Sequence, residues 1–313
     1  MPDIVIPEFM DESAVHEGLA QFDVLYEPDL VDRPDDLAAA VSRARGLIVR
    51  NRTQVRGPLL EAAQALKVVG RLGVGLDNID VGACEARGIA VAPASGANDL
   101  SVAEYVITTA MMLLRGAYFS TADVIAGSWP RGRLMGHEIA GKRLGLIGYG
   151  SIARETAKRA AALDMAVTAF DPYVQADHPA WNQPFGRVVR LDFEELIATS
   201  DVMSLHVPLT PDTRNLIRRD VIERMKPGAV VINGARGGVV DEPALVEALH
   251  AGRLGGAALD VFDEEPMSAE RAAVFAGCPN LILTPHIAGV TVEANRRVSW
   301  LTAQNVRRHL AGA

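Results

Sequence analysis

Cysteine is scarce in this chain: Cys84 and Cys278 are the only two, and neither stands in a Cys/His cluster with metal-ligand spacing. No metal is therefore expected, and both thiols read as small core residues. Long apolar runs are missing as well. No stretch of about 18 apolar residues occurs, which argues against a membrane-spanning helix. The N-terminus runs Met1-Pro2-Asp3-Ile4-Val5-Ile6, without the basic region and apolar core of a secretory signal, so the expected location is the cytoplasm. Positive charge is in deficit: 31 Lys and Arg stand against 39 Asp and Glu, a formal net charge of −8. Such a surface repels nucleic acid and anionic membrane, and neither is expected as a partner. Internal repeats and low-complexity segments are also missing.

What the chain does have is enough apolar material for more than one core, with 313 residues at 49% hydrophobic content. Short β-branched runs alternate with helical patterns from the start, as in a parallel sheet flanked by helices. A first series has strands expected at 4–7, 23–26, 46–50, 67–71 and 89–92, with helices over 12–20, 34–43, 58–65 and 81–86. A largely apolar segment, 100–114, follows. Asn98 and Asp99 are its possible caps and Glu104 is its one charge, so it must be a buried helix, expected to lie between domains. A second series has strands expected at 143–147, 166–170, 202–205, 229–233, 256–259 and 281–284. The helical pattern over 292–310 has no strand partner of its own and is expected to return to the first series. The expected fold class is α/β, with two doubly wound parallel-sheet domains: residues 1–98 plus 290–313, and residues 99–289.

The second domain opens on Arg143-Leu144-Gly145-Leu146-Ile147-Gly148-Tyr149-Gly150-Ser151-Ile152-Ala153, a buried strand that enters a glycine turn and then a helix. A G-x-G-x-x-G/A pattern in that context is a dinucleotide fingerprint. Gly148 allows the tight turn and Gly150 lets the backbone approach a pyrophosphate. The helix opening at Ser151 and Ile152 offers unpaired N–H groups and the positive end of its dipole. The next strand ends at Asp171, about 20 residues further on, where an acid is expected to bind the adenosine ribose hydroxyls. A carboxylate there repels a 2′-phosphate, and Pro172-Tyr173 supplies no cation to bind one. The expected cofactor is NAD.

Three polar motifs each follow an apolar run: Asn233-Gly234-Ala235-Arg236-Gly237-Gly238, Leu259-Asp260-Val261-Phe262-Asp263-Glu264-Glu265-Pro266, and Thr284-Pro285-His286-Ile287-Ala288-Gly289. They should sit at the carboxyl ends of strands, where open α/β sheets bind ligands. Together with Val69-Gly70-Arg71-Leu72-Gly73-Val74-Gly75-Leu76-Asp77-Asn78-Ile79-Asp80, they make the whole chain resemble the D-isomer-specific 2-hydroxyacid dehydrogenases. The resemblance implies a Rossmann NAD-binding domain (99–289), a flavodoxin-like substrate domain (1–98 plus 290–313), and reversible hydride transfer at C2 of a small acid. It also implies a catalytic set of Arg236, Glu265 and His286. The chemistry agrees with that set: alcohol oxidation needs a group that takes a proton and returns it, and imidazole titrates near neutrality. A carboxylate partner stabilises the imidazolium, and a planar guanidinium suits a substrate carboxylate. Asp263 and Glu264 stand beside Glu265, and Glu264 is the substitute if the turn is shifted. By the same resemblance Asp260 lies near the nicotinamide, Ala235 contacts the cofactor, and His206-Val207-Pro208 line its adenosine side. Gly73-Val74-Gly75 would offer backbone N–H groups to the substrate carboxylate.

The motifs are closest to those of the D-3-phosphoglycerate dehydrogenases, through Val49-Arg50-Asn51-Arg52-Thr53 and Trp129-Pro130-Arg131-Gly132-Arg133. Arg50, with Arg52 and Arg133 as further candidates, would serve an anionic group at C3, either phosphate or the sulfonate of 3-sulfolactate. The sequence stops at Ala313, without the C-terminal regulatory domain that many phosphoglycerate enzymes carry, and Ala94-Ser95-Gly96-Ala97-Asn98-Asp99 departs from their usual loop. Glyoxylate or hydroxypyruvate reduction is the alternative if the arginines point elsewhere. An NAD-sensing co-repressor is the alternative from another class, since some co-repressors resemble this family. Formate oxidation is disfavoured, because formate dehydrogenases carry Gln at the family position of Glu265. In the family the 100–114 helix, with Tyr118 and Phe119, forms a dimer surface, so a homodimer is expected.

Overall fold

The alternation of apolar runs and helical patterns resolves into two parallel sheets. The structure is a computed structural model that describes residues 2–312, and the chain divides into two compact units, Met1–Asn98 with Val290–Ala313, and Asp99–Gly289.

The first unit contains β1 (Ile4–Ile6), α1 (Glu12–His16), β2 (Val24–Tyr26), α2 (Pro34–Val41), β3 (Gly46–Val49), α3 (Gly57–Ala62), β4 (Val68–Arg71), α4 (Val81–Ala86) and β5 (Ala90–Pro93). Its sheet order is β2-β1-β3-β4-β5, all parallel, which is the flavodoxin-type order. β1 and β3 are buried along their whole length, so they read as unbroken apolar runs rather than as alternating patterns. α1 is shorter than its sequence pattern. The chain tightens at Gly18, where a Cβ would stand 2.5 Å from the Ala14 carbonyl oxygen.

The second unit begins with α5 (Asp99–Arg115) and α6 (Thr121–Ile125). Then come β6 (Arg143–Ile147), α7 (Ser151–Ala162), β7 (Ala166–Phe170), β8 (Asn182–Gln183), β9 (Gly186–Arg187), β10 (Val189–Arg190), α8 (Phe193–Thr199), β11 (Val202–Leu205), α9 (Arg219–Arg224), β12 (Ala229–Asn233), α10 (Glu242–His250), β13 (Leu254–Leu259), α11 (Ala269–Ala272) and β14 (Leu281–Leu283). Its main sheet is all parallel in the order β10-β7-β6-β11-β12-β13-β14. This is the doubly wound dinucleotide-binding order with one strand added at the end, and the order reverses between β6 and β11. Alternate residues serve opposite faces: in β12, Val230 and Ile232 join the cluster built with α5 and α7, while Ala229 and Val231 join the other. The apolar run of α5 is used within this unit. Val106, Ile107, Ala110, Leu113 and Leu114 pack with Leu144, Leu146 and Ala157.

The last helix, α12 (Val292–Ala311), belongs to the first unit. Its Val298, Ala303, Val306 and Leu310 share a core with Ile4, Ile48 and Val68. Contact is close enough that a Cβ on Gly70 would stand 2.5 Å from Val306. Among the described residues, no helix is long and apolar enough to cross a membrane.

Candidate active site

Strand register alone gathers the polar motifs at one edge of the larger sheet. Phe170, Ile147, Leu205, Asn233, Leu259 and Leu283 form a single row across β7, β6, β11, β12, β13 and β14. The residues that follow this row are Asp171, Gly148, His206, Gly234, Asp260 and Thr284. The fingerprint turn, Asp171, His206 and the three polar motifs therefore all lie at the carboxyl edge of the same sheet.

The two fingerprint glycines do different work. Gly148 has φ +87°, and a Cβ there would lie 2.4 Å from the His206 carbonyl oxygen. It is required by the protein's own backbone. Gly150 has an extended backbone (φ −75°, ψ −165°), and a Cβ on it would meet nothing within 4 Å. Nothing inside the protein needs a glycine there, whereas a closely approaching pyrophosphate does. Ser151 and Ile152 open α7 next to it, so the residues present fit a dinucleotide phosphate. Asp171 accepts hydrogen bonds from the backbone N–H of Tyr149 (2.8 Å) and of Tyr173 (2.9 Å), which fix its carboxylate beside the turn. The side chain of Val207 abuts Gly148. Pro208 accepts a hydrogen bond from Thr213 Oγ1 through its carbonyl, which pins the loop after β11. Desolvation pushes the His206 imidazole down to about 4, and its Nε2 lies 3.0 Å from Ser204 Oγ.

Nδ1 of His286 lies 2.7 Å from Oε2 of Glu265. The other oxygen, Oε1, accepts from the backbone N–H of Phe262 at 2.9 Å. Burial opposes ionisation of Glu265, but the His286 and Phe262 hydrogen bonds and the charges of His286 and Arg236 outweigh it. The carboxyl is held below its ordinary value. Glu264 is turned away toward Arg271, at 3.9 Å, so the pair uses the acid directly before Pro266. Arg236 is half-buried, and its Nη1 donates to the Ala235 carbonyl oxygen at 2.6 Å. Asn233 braces this turn by accepting from Ala235 N (3.1 Å) and donating to the Arg236 carbonyl (2.9 Å). The turn presses against the next loop, since a Cβ on Gly237 would sit 1.7 Å from the Phe262 carbonyl oxygen.

Asp260 is buried and its carboxylate faces the turn that carries His286. Oδ1 accepts from Thr284 Oγ1 (2.6 Å) and Ile287 N (2.8 Å), and Oδ2 accepts from Ala288 N (2.8 Å). Tyr105 Oη meets Thr284 Oγ1 at 2.7 Å and thereby extends the network into α5. Burial raises the Tyr105 phenol to about 12, so it stays neutral. Sequence reasoning assigned Asp260 to the nicotinamide and passed over Tyr105 and Thr284. The Thr284-Pro285-His286 adjacency pointed to Thr284 alone, and nothing in the sequence pointed to Tyr105.

In the first unit, Gly73 has φ +144°, and the Arg71 guanidinium occupies the space a Cβ would need. Arg71 Nε donates to the Gly75 carbonyl at 2.8 Å, so the Gly73-Val74-Gly75 turn is propped from below. Arg50 is half-buried, whereas Arg52 and Arg133 are exposed and paired with Asp32 and Asp123. No group of three or more His, Cys, Asp or Glu that could hold a metal occurs among the described residues.

A dinucleotide cradle and an acid–base pair on one sheet edge define an NAD-dependent oxidoreductase acting on an alcohol and its ketone. The chain belongs to the D-isomer specific 2-hydroxyacid dehydrogenase family, whose NAD binding domain it matches over residues 107–288. It is 53% identical over 310 residues to (S)-sulfolactate dehydrogenase of Chromohalobacter salexigens, with 99% of each chain covered. It is 42% identical over 274 residues to D-3-phosphoglycerate dehydrogenase of Archaeoglobus fulgidus, covering 87% of this chain but half (50%) of that one. A crystal structure of D-lactate dehydrogenase from Aquifex aeolicus, complexed with NAD and lactic acid, is similar with a TM-score of 0.85 at 27% identity, covering 99% and 96% of the two chains.

Proposed function

We propose that this 2-hydroxyacid dehydrogenase acts on a three-carbon acid with a sulfonate at C3, interconverting 3-sulfolactate and 3-sulfopyruvate. The observation that carries the reading is the end-to-end 53% identity with a protein named (S)-sulfolactate dehydrogenase. The S label agrees with a D-specific family. A CH2–SO3 group outranks the carboxylate in the naming rules, where the methyl of lactate does not, so one spatial arrangement changes from R to S.

Bound NAD supplies the hydride acceptor for C2, and NADH the donor. Because Glu265 engages Nδ1 of His286, the nitrogen left to exchange a proton with the substrate oxygen is Nε2. His286 takes the hydroxyl proton as C2 is oxidised and returns it on reduction, while the Glu265 carboxylate balances the imidazolium. Arg236 pairs with the substrate carboxylate. Gly148, Gly150, Ser151, Ile152, Asp171, His206, Val207, Pro208 and Ala235 form the cofactor side. In the other unit, the N–H groups of Gly73, Val74 and Gly75 serve the substrate carboxylate and Arg50 serves the C3 anion.

The test is NADH oxidation with 3-sulfopyruvate, hydroxypyruvate 3-phosphate, hydroxypyruvate, glyoxylate and pyruvate side by side. 3-Sulfopyruvate should give the highest kcat/KM, and Arg50→Ala should weaken the substrates charged at C3. A preference for hydroxypyruvate or glyoxylate would overturn the sulfonate assignment. His286→Ala should lose most turnover while still binding NADH.

Two further points belong to the same reading. Exposed Tyr118, Phe119, Val124, Ile125 and Trp129 support a homodimer, which sedimentation at micromolar concentration would test. The free thiols of Cys84 and Cys278 suit a reducing compartment and support a cytoplasmic location, which cell fractionation would test.

A further inference from the structure

Of the three arginines that could answer a second anion, two are already engaged with carboxylates: Arg52 with Asp32, and Arg133 with Asp123 at 2.6 Å. Arg50 differs. Among the described residues its guanidinium meets neutral groups. Nη2 donates to Oδ1 of Asn295, Nη1 lies 3.5 Å from the Phe9 carbonyl oxygen, and the head sits 5.6 Å from the centre of the Phe9 ring. Glu8 contributes its charge to the neighbourhood, but its two oxygens are taken by the backbone N–H groups of Arg50 (2.9 Å), Thr53 (3.1 Å) and Arg52 (3.1 Å). Asn78 Nδ2 donates to the carbonyls of Arg50 and Thr53, so the loop after β3 is fixed from both sides. The result is a desolvated cation held in place by groups that do not neutralise it. A guanidinium carries five donors, and those not turned to Asn295 and Phe9 remain for a bidentate oxyanion.

We infer that Asn295, in the first turn of α12, is a specificity-determining residue: a neutral acceptor that orients the Arg50 guanidinium while leaving its charge for a sulfonate or phosphate at C3. The inference rests on the proposed C3-anion reading. An aspartate has nearly the same shape as this asparagine but would close an ion pair with Arg50 and cancel the attraction. A leucine would release the guanidinium without cancelling its charge.

The experiment compares kcat/KM for 3-sulfopyruvate, hydroxypyruvate 3-phosphate and hydroxypyruvate in the wild type, Asn295→Asp, Asn295→Leu, Arg50→Ala and the Arg50→Ala/Asn295→Asp double variant, with NADH affinity measured in each as a check on folding. Asn295→Asp should lower kcat/KM for the preferred C3-charged substrate on the order of 100-fold, mainly through KM, and Asn295→Leu on the order of 10-fold. Hydroxypyruvate should change by less than about 3-fold, and Asn295→Asp should add nothing once Arg50 is alanine. Whichever anion is preferred, the loss of Asp below Leu is the readout that a merely structural role would not give. Equal effects of Asp and Leu, or a parallel fall with hydroxypyruvate, would overturn the inference. If Arg50→Ala is selective and Asn295→Asp is not, only the role of Asn295 falls. If Arg50→Ala lowers all three substrates alike, the C3-anion reading beneath it falls.

Discussion

Thr284 donates its hydroxyl to Oδ1 of Asp260 at 2.6 Å, and this bond ties the end of β14 to the end of β13 two residues before His286. With the N–H groups of Ile287 and Ala288 on the same carboxylate, Asp260 is the knot of the turn, and His286 itself is held at φ +55°. A carboxylate can accept all three bonds, whereas an amide cannot. In Asp260→Asn the side-chain NH2 must face one of three donors in a buried site. The expected cost is about 3 kcal/mol or more in unfolding free energy, with turnover lost as the His286 turn loosens. Urea denaturation and kcat check it, and a variant of wild-type stability would refute the knot.

Acid should act through Glu265. Its folded pKa lies below the ordinary carboxylate value of about 4.3, so the unfolded chain binds the extra proton between the two values. Stability from this group is complete above the ordinary value and drains away as pH falls through the lowered one. The urea midpoint of the wild type should therefore drop across that acid window, and Glu265→Gln should follow a flatter curve there. Parallel curves would mean that the His286 and Phe262 bonds do not favour the charged form.

The two fingerprint glycines should separate folding from cofactor binding. Gly150→Ala is expected to keep the wild-type melting temperature, because its extended backbone admits alanine and nothing in the protein blocks the new carbon. Its NADH affinity should fall by about 10-fold or more if a pyrophosphate passes there. Gly148→Ala should instead destabilise the fold, since it forces a side chain onto φ +87° and into the His206 carbonyl. Calorimetry and NADH titration on both variants read the contrast.

Much of this was legible because largely buried parallel strands announce themselves as mostly apolar runs. Those of β6, β7, β11 and β12 fall on the residues expected. The motif edge was legible for the same reason: each polar cluster follows such a run, and parallel register does the rest. What escaped was of two kinds. β8, β9 and β10 have two residues each, too short to carry a period, and β10 is recognisable only by its pairing with β7. The residues that brace the site escaped because bracing depends on tertiary distance. Nothing in the spacing of Glu8 and Asn295 marks them as partners of Arg50, or in that of Tyr105 as a partner of Thr284. Arg50, Arg52 and Arg133 looked alike in sequence, and only their partners tell them apart.

Tyr149, between the two glycines, offers a test in the direction of greater stability. Its ring is fully buried and stacked on Trp181, with centroids 4.8 Å apart and planes at 6°. Its hydroxyl has no hydrogen-bond partner among the described residues, and burial raises the phenol to about 12, so it sits there neutral and unsatisfied. An orphaned buried hydroxyl costs about 1–3 kcal/mol, whereas the ring itself loses nothing when the oxygen is removed. Tyr149→Phe should therefore match the wild type or gain up to about 1 kcal/mol, read as a higher urea midpoint with an unchanged slope. NADH affinity should not move, because Asp171 is held by the backbone N–H of Tyr149 and not by its hydroxyl. A loss of more than about 1 kcal/mol would mean that the hydroxyl is satisfied by a buried water, which the substitution expels.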